Sequence, residues 1–108
     1  MRRHAVVATM VLLLGLVAAA AHRSAPRTHT VQIEGMRFSP ATVVVERGDT
    51  IVWVNTDLVP HTVTSAEGAL DSATIAPGTS WRWTAGTAAA LPYVCTLHPT
   101  MSGRVDVR

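Results

Sequence analysis

The sequence predicts an all-β fold, a small Greek-key sandwich or barrel of about seven to eight strands that follows an N-terminal signal or anchor segment. Two observations support this fold class. Short apolar runs are separated by Gly, Pro and Asn turn signals at regular spacing, which is typical of sandwiches and small barrels. No segment beyond residue 21 has a sustained apolar period of 3.6 residues, so we expect no long helix.

The N-terminal segment differs in composition from the rest of the chain. Arg2 and Arg3 precede an uncharged run over 5–21 that ends in four alanines. A positive start, an apolar middle and a small-residue end are typical of a secretory signal. Left uncleaved, the run would be a short membrane anchor. We therefore expect a signal or anchor at 1–21, a linker at 22–29 and a β domain at 30–108, in the periplasm or outside the cell.

The first half of the domain predicts four strands. Residues 31–33 alternate apolar and polar side chains, and residues 42–45 are strongly β-branched. A turn containing Gly48 separates the second run from the apolar run at 51–54, and 61–65 alternates again. Each pattern fits a strand with at least one buried face.

The second half of the domain predicts three more strands. Residues 80–84 place Trp81 and Trp83 on the same face, because side chains of a strand alternate. Residues 91–96 lead into a short loop, and 103–108 supply the last strand. A domain of this size has a modest core, to which the aromatic side chains contribute much of the apolar area.

The charge balance excludes one class of partner. All nine basic residues are arginine, and two of them lie within the first three residues. Without that segment the arginines and the acidic residues are equal in number. There is no basic run and no interleaving of arginine with aromatic residues, so nucleic acid is not expected as a partner. A monomer is expected, with membrane contact only if the N-terminal segment is retained.

The only cysteine begins the most informative motif. Cys95-Thr-Leu-His98-Pro-Thr-Met101 places a thiol, an imidazole and a thioether on one short loop, and His61 lies upstream at the start of a predicted strand. A lone thiol in an exported domain cannot form an internal disulfide, and metal ligation would protect it. Two imidazoles, a thiolate and a weak axial thioether are the ligands of a blue-copper electron-transfer centre. The sequence therefore predicts one copper ion that cycles between Cu(II) and Cu(I).

The chain also resembles the cupredoxins, most closely their plastocyanin and amicyanin branch. The matching pieces are Gly35-Met-Arg-Phe-Ser-Pro40, Val45-Glu-Arg-Gly-Asp-Thr-Ile-Val-Trp-Val-Asn55, Pro60-His61, and Tyr93-Val-Cys95 through Met101-Ser-Gly103. The resemblance implies copper bound by His61, Cys95, His98 and Met101. It also implies a shuttle that carries one electron at a time between redox partners outside the cytoplasm.

Further residues are expected to support the ligands or to meet a transient redox partner that docks near His98. They are Asn55, Pro60, Thr62, Leu97, Pro99 and Thr100. Asn55 could hydrogen-bond across the ligand loops or could simply end its strand. Many family members have Asn where this chain has Thr62, whose hydroxyl could partly replace it. Met36 is expected in the core, and His29 is expected not to be a ligand.

Three other functions are alternatives to the electron shuttle. A copper delivery or storage protein would use the same residues, although storage usually calls for many sulfur ligands. An enzyme with a Cys-His nucleophile would need a third residue to orient the pair and would leave Met101 without a role. An interaction module could keep the motif without binding metal. The ligand set favours the electron shuttle, with copper delivery or storage as the alternative, and no enzymatic activity is expected.

Overall fold

Eight short strands make up the computed structural model, which describes residues 24–108. In chain order they are β1 (Thr28–Glu34), β2 (Arg37–Ser39), β3 (Thr42–Val45), β4 (Thr50–Asn55), β5 (Thr64–Ser65), β6 (Ser80–Thr84), β7 (Ala89–Cys95) and β8 (His98–Val107). The predicted signal or anchor segment at 1–21 lies outside the described residues. Within 24–108 there is no helix of the length and apolar character that crossing a bilayer requires.

The strands form two four-stranded sheets that enclose one core. The first sheet has the order β2-β1-β4-β6, and the second has the order β3-β8-β7-β5. Two pairs, β1 with β4 and β3 with β8, are parallel, and the other pairs are antiparallel. The prediction of an all-β fold with seven or eight strands is confirmed.

The first strand begins earlier than the boundary at residue 30 that the sequence predicts. Thr28 already pairs with Thr50 in the parallel register of β1 and β4. The Asp49 carboxylate accepts a hydrogen bond from the Arg27 amide at 2.9 Å and lies 2.9 Å from His29 Nε2. These polar contacts extend the pairing beyond the apolar alternation, so part of the predicted linker belongs to β1.

The core is centred on aromatic residues from both sheets. Trp53 of β4 is fully buried, and its indole Nε1 donates a hydrogen bond of 3.1 Å to the hydroxyl of Tyr93 on β7. Tyr93 also meets Phe38 edge to face, and Trp53 packs on the half-buried Trp81. Burial raises the pKa of Tyr93 to about 12, against the opposing effect of the Trp53 hydrogen bond.

Met36 is not in the core, contrary to the sequence-based expectation. It lies in the turn between β1 and β2, where Gly35 and Met36 have positive φ angles of 61° and 59°. The side chain of Met36 is 41% exposed. The apolar side chain is turned outward because the tight turn, rather than the alternation of a strand, sets its direction.

The hairpin of β7 and β8 brings the motif residues to one end of the sandwich. Cys95 is the last residue of β7 and pairs with His98, the first residue of β8. The register shifts between Val94 and Cys95. Irregularities of this kind re-aim a side chain next to a functional site, and here the side chain is the thiol of Cys95.

Candidate metal centre

Three of the four predicted ligands lie on the β7–β8 hairpin. Cys95 is fully buried, Met101 of β8 is almost fully buried, and His98 is half-buried at the edge of the hairpin. Residues 96 and 97 form the turn between the strands. A short turn fixes the hairpin register, so the Cys-x-x-His spacing holds both side chains at the same end of the sheet.

The fourth predicted ligand, His61, comes from the segment between β4 and β5. Its amide donates to the Ile75 carbonyl at 3.2 Å, and its carbonyl accepts from the Ile75 amide at 2.7 Å. His61 is fully buried. The two backbone hydrogen bonds fix the position from which the imidazole reaches the thiol of Cys95.

The donor atoms converge. His61 Nδ1 and His98 Nδ1 each lie 3.7 Å from Cys95 Sγ, and the three atoms are within 4.8 Å of one another. The two imidazole rings are 5.1 Å apart between centroids. Metal bonds to sulfur and nitrogen are about 2.0 to 2.3 Å long, so one ion between these atoms can reach all three. The donor set of two imidazoles and a thiolate fits copper.

The sulfur of Cys95 has a hydrogen-bond donor of its own. The Thr62 amide donates to Cys95 Sγ at 3.3 Å in a buried environment. A hydrogen bond to a ligating thiolate withdraws electron density from the sulfur and also fixes its direction. The residue after His61 therefore contacts the ligand on the opposite loop.

Comparison with known proteins shows the family to which the chain is related. Residues 26–108 match the family of copper binding proteins described as plastocyanin/azurin. The chain belongs to this family. The predicted resemblance to the cupredoxins is confirmed.

Amicyanins are among the similar proteins. The amicyanin of Paracoccus versutus is 32% identical over 82 residues, which cover 71% of this chain and 62% of that protein. Amicyanin-alpha of Methylorubrum extorquens is 28% identical over 105 residues, covering 93% of this chain and 87% of that protein. The matched part of this chain thus spans less than two thirds of the Paracoccus versutus protein.

Solved amicyanin structures show the same fold as this cupredoxin. The crystal structure of amicyanin from Paracoccus versutus aligns with a TM-score of 0.70 at 29% identity, covering 75% of this chain and 81% of that one. An amicyanin variant described in its Cu(I) form aligns with a TM-score of 0.67 at 29% identity, covering 75% and 82% of the two chains.

Asn55 both ends a strand of the cupredoxin sandwich and ties loops together. It is the last residue of β4 and is fully buried. Its amide nitrogen donates to the carbonyls of Val59 at 3.0 Å and Ile75 at 2.9 Å, and its side-chain oxygen accepts from the Asp57 amide at 3.0 Å. Asn55 therefore ends its strand and also ties the segment before His61 to the segment at Ile75.

Thr62 links the two ligand-bearing segments where many cupredoxins have Asn. Its Oγ1 accepts a hydrogen bond of 2.9 Å from the Thr96 amide. The same oxygen lies 3.0 Å from the hydroxyls of Thr96 and Thr64. The hydroxyl of Thr62 thus connects the His61 segment to the turn that follows Cys95.

Asp57 is a polar neighbour of the cupredoxin ligands that sequence reasoning missed. Its Oδ2 lies 2.8 Å from His61 Nε2, and the carboxylate accepts the amides of Gly35 and Met36 at 2.7 and 3.0 Å. Burial opposes the charge, but the two amides and His61 together hold the pKa of Asp57 below its usual value. The available signal was a carboxylate four residues before a predicted ligand.

Exposed apolar residues lie close to His61 and His98 in the chain. Leu58 is 95% exposed, Leu97 is 50% exposed and Val59 is 40% exposed. The other residues expected to meet a partner or support the ligands at this surface are exposed as well; they are Pro60, Pro99 and Thr100. Leu58 and Val59 were missed because the sequence shows them only as loop residues. In the sequence of this cupredoxin, these residues lie within three positions of His61 or His98.

Proposed function

We propose that this chain is a type 1 copper protein that carries single electrons between redox partners. His61, Cys95, His98 and Met101 would be the ligands of one copper ion, which would supply the one-electron exchange between Cu(II) and Cu(I). The observation that carries the proposal is the convergence of His61 Nδ1, His98 Nδ1 and Cys95 Sγ. The thiolate and thioether suit Cu(I), whereas imidazole suits either oxidation state.

The hydrogen bonds around the site support electron transfer in particular. A carrier exchanges electrons fast when its ligands move little between the two oxidation states. Cys95 receives the Thr62 amide, His61 is held through its backbone, and Thr62 joins the two segments. Ligands held by packing and by a surrounding layer of hydrogen bonds keep one geometry.

Visible absorption tests the proposal directly. Addition of Cu(II) to the domain at 22–108 should give an intense blue thiolate-to-copper band. Reductant should bleach this band, oxidant should restore it, and Cys95→Ala should lack it. A wild-type protein that stays colourless with Cu(II) would contradict the proposal and would favour copper storage or an interaction module.

We further propose that the redox partner docks on the apolar surface around His98. His98 is half-buried, and Leu97 is half-exposed beside it. Partners of an electron shuttle must dissociate quickly, and small interfaces suit such encounters. The partner is therefore a redox protein that presents an apolar surface of its own.

Charge introduced into this surface should slow electron exchange. Leu97→Glu or Thr100→Glu buries a charge in the encounter complex, so we expect a lower bimolecular rate in stopped-flow with a redox partner, while the blue band is kept. Val44→Glu is the matched control, because Val44 is 44% exposed on β3, away from the ligands. Equal rates for Leu97→Glu and Val44→Glu would rule out this docking surface.

Copper delivery or storage is the second candidate, because it would use the same donor atoms. Delivery requires that Cu(I) leave readily for an apo acceptor, whereas a carrier retains copper through many redox cycles. Competition with a Cu(I) chelator followed by transfer to an apo acceptor separates the two. The cupredoxin family supports the carrier, and it also supports the expectation that the chain is not an enzyme.

We propose in addition that residues 1–21 direct export, with the carrier domain acting outside the cytoplasm. The composition of 1–21 supports this, and the pairing of β1 indicates that the folded domain begins near Thr28. Intact mass of the protein recovered from the periplasm reports whether the segment is removed. A mature chain that starts close to His22 is expected, and a retained segment would indicate a membrane anchor.

A further inference from the structure

The carboxylate of Asp57 has three hydrogen-bond partners around a predicted copper ligand. Oδ2 lies 2.8 Å from His61 Nε2 and accepts the Met36 amide at 3.0 Å, and Oδ1 accepts the Gly35 amide at 2.7 Å. The side chain of Asp57 is 14% exposed, and that of His61 is fully buried. A carboxylate held by two amides has little freedom to turn away from the imidazole.

The turn between β1 and β2 provides the anchor for this carboxylate. Gly35 and Met36 have φ angles of 61° and 59°, a conformation that is uncommon for a residue with a side chain. Successive amides that point into one concavity form an anion-binding nest. The Gly35-Met36 pair of the matching motif thus has a role that the sequence did not reveal, because it holds Asp57 beside His61.

The group that each ring nitrogen of His61 faces indicates which nitrogen carries the proton. His61 Nδ1 faces Cys95 Sγ at 3.7 Å, so this nitrogen is the one available to a metal. Nε2 then carries the proton and donates a hydrogen bond to Asp57. A histidine that donates to a carboxylate is fixed in tautomer and ring orientation and is a stronger ligand.

The second imidazole has no comparable partner. Within residues 24–108 no carboxylate forms an ion pair with His98. His98 is also half-buried, whereas His61 is fully buried. Among residues 24–108, the His61 imidazole is therefore held by a negative charge and the His98 imidazole is not.

We propose that Asp57 is a positioning residue of the copper site that fixes His61 through Nε2 and lowers the reduction potential of the copper. This inference rests on the proposed copper function. A negative charge close to the ligand stabilises Cu(II) more than Cu(I), because the oxidised ion has the larger positive charge. The anchored carboxylate thus acts on the potential as well as on ring orientation.

The reduction potential of Asp57→Asn tests the proposal. Asn keeps an oxygen that can accept a hydrogen bond but lacks the negative charge. Substitution of a partner behind a ligand typically costs 10- to 100-fold in metal affinity, and we expect Cu(II) affinity to fall more than Cu(I) affinity. Each tenfold difference between the two losses raises a one-electron potential by about 59 mV. Asp71→Asn is the matched control, because Asp71 is exposed and, among residues 24–108, its carboxylate accepts a hydrogen bond only from the nearby Ala73 amide.

Two further variants and one NMR measurement guard against misfolding of Asp57→Asn. Asp57→Ala also removes the charge, and Asp57→Glu keeps the charge and should remain closer to the wild-type potential. In the wild-type protein loaded with Zn(II), nitrogen NMR should show the His61 proton on Nε2. A proton on Nδ1 instead would overturn the proposal even if no variant folds.

The outcomes separate this inference from the function on which it rests. A wild-type protein without a blue copper band would refute the proposed function. A blue wild-type protein whose potential moves no more in Asp57→Asn than in Asp71→Asn would refute only the role of Asp57. A raised potential in Asp57→Asn, with Asp57→Glu close to the wild type, would support it.

Discussion

Thr62 joins the two segments that carry the candidate ligands, because its amide and its hydroxyl face different partners. The amide donates to Cys95 Sγ, and the hydroxyl accepts from the Thr96 amide. The backbone contact is independent of residue type, so a change from Asn to Thr at this position does not remove it. The side-chain contact depends on an oxygen, which Thr provides in a smaller side chain.

Replacement of Thr62 by Val should destabilise the domain and leave the sulfur contact in place. Val has nearly the same shape but no oxygen, so the Thr96 amide loses its partner. Thr96 is exposed, so water can reach its amide, and the loss should be that of an ordinary hydrogen bond, about 0.5 to 1.5 kcal/mol. Urea unfolding of the apo protein measures this loss, and Thr74→Val, at an exposed threonine, is the control. A loss equal to that of the control would mean that the hydroxyl link carries no stability.

Residues whose role depends on local spacing could be predicted from the sequence, and the others could not. The hairpin spacing of Cys95 and His98 brings their side chains together in any register that keeps the short turn. Asp57 depends instead on the turn at Gly35 and Met36, 21 and more residues away in the chain. No local pattern encodes that contact, so its role followed only from the fold.

At the level of elements, the pairing of β7 with β8 requires a glycine at one position. Gly103 pairs with Tyr93, and a Cβ atom at Gly103 would lie 2.3 Å from the ring of Tyr93. The ring of Tyr93 is itself fixed by Trp53 and Phe38. The aromatic core therefore occupies the space that any larger residue would need.

Gly103→Ala should destabilise the domain strongly because the Tyr93 ring cannot move without breaking its contact with Trp53. Overpacking of a well-packed core typically costs about 1 to 3 kcal/mol. Thermal unfolding of the apo protein measures the loss. Gly86→Ala is the control, since a Cβ at Gly86 meets no atom within 4 Å. Equal midpoints for the two variants would show that the Tyr93 ring has room to shift.

The start of β1 is held to β4 by Asp49 at the turn before β4. The Arg27 amide, His29 and the Glu46 amide all contact its carboxylate. In that order of importance, these contacts lower the pKa of Asp49 to about 2, from 3.8. The apolar alternation predicted the middle of β1, but its beginning depends on this non-local carboxylate.

Acid should weaken this connection. Because the folded pKa of Asp49 lies below the unfolded value, its stabilising effect is complete above about pH 4 and is lost as the pH falls through about 2. Urea unfolding at pH 7, 4 and 2 should show a loss below pH 4 that is smaller in Asp49→Asn. Asp106→Asn, at a half-exposed aspartate, should keep the wild-type pH profile. An Asp49→Asn profile parallel to the wild type would contradict this role.

At the scale of the whole molecule, the predicted ligands of the candidate site come from separate strands and segments. His61 lies between β4 of the first sheet and β5 of the second, whereas Cys95, His98 and Met101 belong to the β7–β8 hairpin. The donor atoms of His61, Cys95 and His98 are close together only when both sheets are in place. An ion bound by all of them therefore binds the folded state in preference to the unfolded chain.

Removal of copper should therefore lower the unfolding temperature of the entire domain. A ligand that binds only the folded state adds about 2.7 kcal/mol at a free concentration of 100 times Kd. For a domain of this size that corresponds to a Tm higher by roughly 10 to 20 °C. Calorimetry of the apo and copper-loaded proteins measures the difference, and Cys95→Ala should show much less of it. If copper left Tm unchanged in the wild type, the ligands could not be acting together on the folded state, because binding confined to that state must shift the unfolding equilibrium.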